Sequence, residues 1–190
     1  MAVPTSKVDI ANRALKKLGQ PLITALPPSE NNKAAVAINN MFEPIRNNLL
    51  RMHPWNFAIK RATLAKLSST PAWGWSYEYG LPGDFLCLID VKDNIKHAIE
   101  SNKILTDEDG TIGIRYVYKV EDTSQFDPTF SEAFATKLAL ELVEDITNSN
   151  TKKQILMQQF EMHMADARSR DGRERGKQEY PQDDWVTVRY

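Results

Sequence analysis

Apolar positions recur every three to four residues in four stretches of the 190-residue chain, and a region of strand-like runs and two-residue alternation separates the first two stretches from the last two. Ile10, Ala14, Leu15 and Leu18 share one helical face. Ser6 and Asp9 stand at the spacing of a capping box, and Gly19 followed by Pro21 closes the element. A second stripe, Ala34, Ile38, Met41, Phe42, Ile45, Leu49 and Met52, predicts a helix that starts near Ser29 and Glu30. Pro44 falls inside it and should kink or split it, because proline removes a hydrogen bond and crowds the preceding turn. Pro54 ends it, and residues 56–66, which alternate only weakly, predict an extended exit.

The pattern then changes. Residues 69–85 hold Trp73, Trp75, Tyr77, Tyr79 and Phe85 among prolines and glycines. Trp75, Tyr77 and Tyr79 alternate, which sends their rings to one face of an extended segment and predicts a packed seam rather than a ligand platform. Trp73, beside Pro71 and Gly74, is the member expected to be exposed and to meet a neighbouring subunit. Residues 85–91 (FLCLIDV) predict a strand, as do 97–105. Ile112, Ile114, Tyr116, Tyr118 and Val120 alternate with more polar neighbours and predict a half-buried strand, paired in a hairpin across the turn at 107–110.

Asp127 followed by Pro128 opens a third helix, since an N-cap carboxylate accepts an orphan N–H and proline at the next position has none to lose. Phe134, Leu138, Leu142 and Ile146 form its stripe, with Ala135, Ala139 and Val143 beside them. Leu156, Phe160, His163, Met164 and Ala167 mark a fourth helix after a link short enough to make the two antiparallel. The pattern predicts a mainly α (α+β) architecture. A four-helix bundle of two helical hairpins spans 1–66 and 127–175, a small antiparallel β insertion covers 67–126, and 176–190 form an extended C-terminal tail. Tyr180, Trp185 and Tyr190 in that tail are expected to anchor a partner.

Net charge is −1, which argues against a global field for nucleic acid or anionic membrane. The charge is uneven. Residues 1–66 carry ten Lys/Arg against three Asp/Glu, and the remainder fourteen against twenty-two. Opposed halves of this kind suit contacts between subunits. The one cysteine, Cys87, sits in an apolar run and predicts a small buried hydrophobe. No stretch reaches the roughly 18 apolar residues of a membrane span, so no membrane partner is expected.

Candidate chemistry is sparse. Nucleophile elbows, phosphate-binding glycine loops and paired His or Cys at ligand spacing do not occur. His53, His97 and His163 lie in different elements. Asp107, Asp109 and Gly110 lack the ligand ladder and closing Glu of a calcium loop. The carboxylate pairs Glu121 and Asp122, Glu144 and Asp145, and Asp183 and Asp184 leave a glycan hydrolase as the alternative, because such enzymes work with two carboxylates across a cleft. The basic run 168–177 is interrupted by Asp171 and Glu174 and ends a helix, where cations are favoured in any case. The expectation is no catalytic residue, no metal, no cofactor and no enzyme activity.

Four motifs, in order, carry a resemblance: Ile10–Pro21 (IANRALKKLGQP), His53–Leu64 (HPWNFAIKRATL), Trp75–Asp84 (WSYEYGLPGD) and Phe126–Phe130 (FDPTF). Together, over about residues 6–170, the chain resembles the tail tubular protein A family, the head-to-tail adaptors or connectors of short-tailed bacteriophages. The resemblance implies a virion protein, assembled in the host cytoplasm, that forms a ring of about twelve copies below the portal protein. Such a ring carries the tail nozzle protein (tail tubular protein B type) and extends the channel for double-stranded DNA without sequence specificity. It also implies a helical bundle with an inserted β region and a C-terminal segment that docks on the portal.

Overall fold

Ser6 opens the first helix through the predicted capping box: its Oγ accepts the N–H of Asp9 at 3.0 Å, and the Asp9 carboxylate accepts the N–H of Ser6 at 2.9 Å. The computed structural model describes residues 6–30, 32–147 and 149–174, so Tyr180, Trp185 and Tyr190 lie outside the described residues. Helix α1 spans Lys7–Leu18 and stops at Gly19, whose φ of 71° is a conformation that glycine adopts without steric cost.

Helix α2 spans Lys33–Arg51. Its N-cap is Asn32, whose Oδ1 accepts the N–H of Ala35 at 2.7 Å, rather than Ser29 or Glu30. Glu30 instead accepts the N–H groups of Thr24 and Ala25, closing the preceding loop. The helix runs through Pro44 as one element. Pro44 and Asn40 both lie on its exposed side, so water can take the carbonyl that proline leaves without a donor.

Helices α3 (Pro128–Thr147) and α4 (Asn150–Glu174) come after the sheets. Asp127 caps α3, accepting the N–H of Thr129 at 2.7 Å. Phe130, Ala133, Phe134, Ala135, Leu138, Ala139, Leu142 and Val143 are all buried, so α3 is covered on most of its circumference. Its alanines let neighbours approach closely, and α1, α2 and α4 each pack on it. The helices are therefore three around one, not the expected pair of helical hairpins.

Between α2 and α3 lie six strands: β1 (Ile59–Ala65), β2 (Tyr77–Gly80), β3 (Phe85–Val91), β4 (His97–Glu100), β5 (Lys103–Thr106) and β6 (Thr111–Tyr118). They form two antiparallel three-stranded sheets, ordered β1-β6-β3 and β2-β5-β4. The first runs into the second where Lys66 bridges Tyr79. Ile112, Ile114 and Tyr116 on β6 pack with Leu64, Val91, Tyr79 and Ile104 in a core between the sheets. Val117, on the opposite face, belongs to the helical core.

The strand pairing and the fold class both differ from expectation. Residues 97–105 are not one strand paired with β6 across 107–110. They hold a turn at Ser101 and Asn102, with φ of 47° and 61°, that pairs β4 with β5, while 107–110 carry the chain from one sheet to the other. A two-residue hairpin loop with both φ positive matches the right-handed twist of its strands, which is why the chain reverses there. The chain is accordingly a mixed α+β fold with a six-stranded β region that has its own core, not a four-helix bundle with one small β insertion. Three stretches account for the additional strands: the weakly patterned 59–65 joins the first sheet, 77–80 joins the second, and 97–106 supplies two strands to the second in place of one.

Candidate functional surfaces

The segment between α2 and β1 fastens the helical body to the β region. The Trp55 ring is 1% exposed, lies edge-on to Phe130 at 5.0 Å between centroids, and donates its Nε1–H to the Leu49 carbonyl at 2.9 Å. Next to it, the Asn56 N–H donates to Asp171 Oδ1 and the Asn56 side-chain amide to the Asp171 carbonyl, both at 2.7 Å. His53 Nε2 lies 2.9 Å from Asp171 Oδ2. Asp171 is thereby held, 8% exposed, in the last described turn of α4. The buried carboxylate fixes both segments, because removing it would take an acceptor from the Asn56 N–H and a partner from His53. Nothing in the sequence marks Asp171 for this role, since it sits in a basic helix end far along the chain from His53.

A cationic groove of about 510 Å³ opens on the first sheet, lined by Arg61, Thr63, Asp90, Lys92, Gly113 and Arg115 among others. The strand register sets Arg61 opposite Arg115, and Arg115 opposite Asp90. Arg115 pairs with Asp90 at 2.5 Å, and its buried Nε has no hydrogen-bond partner among the described residues. Arg61 is exposed. Like charges directly opposite on a sheet repel, so this row stores unfavourable charge that an anion would relieve. Gly113 gives the Lys92 stem its path, since a Cβ there would lie 3.2 Å from Lys92 Cβ. Three cations line the groove with Asp90, and Asp93 lies 3.9 Å from the Lys92 ammonium. The alternating pattern shows Arg61 and Arg115 separately, but only the pairing of β1 with β6 brings them together.

The aromatic stretch divides by burial. Tyr79 is fully buried, and its hydroxyl donates to the Glu108 carbonyl at 2.7 Å. Tyr77 and Phe85 pack against the same core, and Phe85 stacks on Tyr116 at 5.8 Å. Burial, with the nearby Asp84 carboxylate, pushes the Tyr116 phenol up to about 12. Trp75 is half-buried with the Lys96 ammonium 5.7 Å from its ring centre. Trp73 is 87% exposed, on the rim of a hollow of about 300 Å³ that Trp75, Glu78, Glu100 and Lys103 also line. The Lys103 ammonium at 2.5 Å and the Ser69 hydroxyl at 2.7 Å hold the Glu78 carboxyl below its ordinary range.

Three of the carboxylates singled out in the sequence are held by neighbours. Glu121 pairs with Lys119 at 3.4 Å, Asp122 accepts the Ser124 N–H at 2.9 Å, and Glu144 pairs with Lys153. Asp183 and Asp184 lie outside the described residues. Asp107 accepts the Ser76 N–H and hydroxyl, and Asp109 pairs with Lys66, which makes 107–110 a braced turn. His97 Nδ1 lies 2.7 Å from the Ile95 carbonyl and is not brought to His53. Among the described residues no cluster of three His, Cys, Asp or Glu could hold a metal ion, and no helix is long and apolar enough to cross a membrane. Compared with protein-family models and with curated protein sequences, the chain matches none.

Proposed function

We propose that the chain is a structural adaptor of the head-to-tail junction of a short-tailed bacteriophage. In this reading copies of the chain form a ring below the portal protein, receive the tail nozzle protein beneath it, and let double-stranded DNA pass through the lumen. It acts in the virion after assembly in the host cytoplasm, and it catalyses nothing. The observation that carries the reading is the use made of the second sequence motif. Trp55 fills the junction of helices and sheet, and Asn56 with His53 clamps Asp171 at the end of α4. A ring component that transmits load between a portal and a nozzle needs its two parts fastened in this way, and a substrate site would need these side chains free.

Two surfaces are assigned to partners. Trp73, largely exposed on its loop, is placed against a neighbouring subunit, because a large ring on a surface is a frequent interface anchor. Tyr180, Trp185 and Tyr190 are assigned to the portal. The test is deletion of 176–190, with portal binding followed by sedimentation and folding by circular dichroism. Loss of portal binding with the helical signal retained is the expected result; a truncated chain that binds the portal as the full chain does contradicts the tail assignment.

A further inference from the structure

The cationic groove has the makings of a binding site. Arg61, Lys92 and Arg115 converge on one hollow, Asp90 pairs with Arg115 there, Asp93 lies 3.9 Å from the Lys92 ammonium, and a buried guanidinium N–H of Arg115 lacks an acceptor among the described residues. The groove lies on the face of the first sheet that, at Val117, turns toward the helical core. Asp171 and Glu174, at the end of α4, line another hollow with Asn56 and Phe57, shortly before β1 begins at Ile59. The chain therefore leaves its last described turn beside the start of the strand that leads to Arg61.

Beyond Glu174 the cations Arg175, Lys177 and Arg189 balance three carboxylates in number, but the carboxylates are grouped. Between Lys177 and Arg189 the sequence carries Glu179, Asp183 and Asp184 and no Lys or Arg. Reach is no obstacle. From Asn56 to Arg61 is no more than about 18 Å, the limit for five residues, and the chain from Glu174 to Asp183 can span about 30 Å.

We propose that, in the free chain, the groove of Arg61, Lys92 and Arg115 is a docking site for the chain's own acidic segment 178–187. The carboxylates of Asp183 and Asp184 relieve the repulsion between Arg61 and Arg115, and an acceptor reaches the Arg115 N–H. The segment is thus withheld until a partner with stronger contacts draws it out. Groove and charge pattern support this docking independently of the phage reading.

A zero-length carbodiimide cross-linker applied to the full chain at low salt tests it. Monomer and multimer fractions are separated before digestion and mass spectrometry. Lys60 and Asp84, paired at 2.8 Å, supply the internal control link. The expected result is an amide between Lys92 and Asp183 or Asp184 in the monomer fraction, reduced about tenfold in Arg61→Glu, as expected when an attractive charge contact becomes repulsive. Three cross-linking results overturn the proposal. One is the control link without a Lys92 link to the segment. Another is the link in the multimer fraction alone, which assigns the groove to a second copy's segment. The third is a link unchanged in Arg61→Glu. Salt-dependent binding of a short duplex DNA, lost in Arg61→Glu and unchanged in Asp183→Lys/Asp184→Lys, also overturns it, in favour of a phosphate surface.

Discussion

Ser131 is wholly buried on α3, and its hydroxyl has no hydrogen-bond partner among the described residues. A buried hydroxyl without a partner loses its hydration for nothing, so Ser131→Ala should raise unfolding free energy by about 1 kcal/mol. Urea titration reads this as a higher midpoint at unchanged slope; a lower midpoint indicates that the hydroxyl has a partner after all. Its neighbour Glu132 does the opposite work. It joins α1 to α3 through Lys17 at 2.6 Å and Arg13 at 3.7 Å. Burial alone would raise its carboxyl. The Lys17 hydrogen bond and charge, with His163 and Arg13, outweigh burial and hold it below its ordinary value. A carboxyl whose pKa is lower folded than unfolded stabilises fully above the unfolded range of about pH 4–5, and that contribution is lost as pH falls through the folded value. Glu132→Gln should therefore be less stable than the parent at pH 7, with the gap closing toward pH 3; a gap that is constant with pH would show that packing, not charge, is what the substitution removes. At this scale the sequence is informative where chemistry is local. Ser6, Gly19 and Asp127 announce their caps within three residues. Asp171 and Arg115 carry no such mark, because their partners are set by tertiary contact and by strand register.

Among the elements, the β4–β5 hairpin shows most clearly why the sheets are hard to foresee. Asp109 and Gly110 have the residue types favoured in tight hairpin turns, yet they lie in the passage between sheets. The true hairpin turn is Ser101 and Asn102, embedded in a run that resembles one strand. Asn and Gly suit a turn with both φ positive better than Ser and Asn. Ser101→Asn with Asn102→Gly should therefore raise stability by about 0.5–1 kcal/mol, measured by thermal or urea unfolding. No gain would mean that the turn is not limiting. The helices are legible because their signal is periodic and self-contained, and α2 shows the limit. Its stripe is right at Ile38, Phe42, Ile45 and Leu49, whereas Met41 and Met52 are partly exposed, and its start depends on which of three polar residues caps it. Strand pairing carries no such local mark. That is why 59–65 is ambiguous until β6 supplies its partner.

For the molecule as a whole, the two cores meet at one seam. Val117 and Val120 face the helical core, Tyr116 and Ile114 the core between the sheets, and Trp55, Asn56 and Asp171 fasten the junction. The seam gives the segment 53–56 a structural role. It also bounds what Trp73 can do. At 87% exposure the ring contributes little to the isolated fold, so Trp73→Ala should leave the melting temperature of the free chain nearly unchanged while weakening association between copies. A large fall in melting temperature would return the ring to the fold. The central claim, a ring-forming adaptor, concerns association, and electron microscopy of the full chain mixed with the portal protein of the same virus tests it most directly. Closed rings of this chain seated coaxially on the portal are the predicted result. A chain that stays monomeric beside bare portals contradicts it.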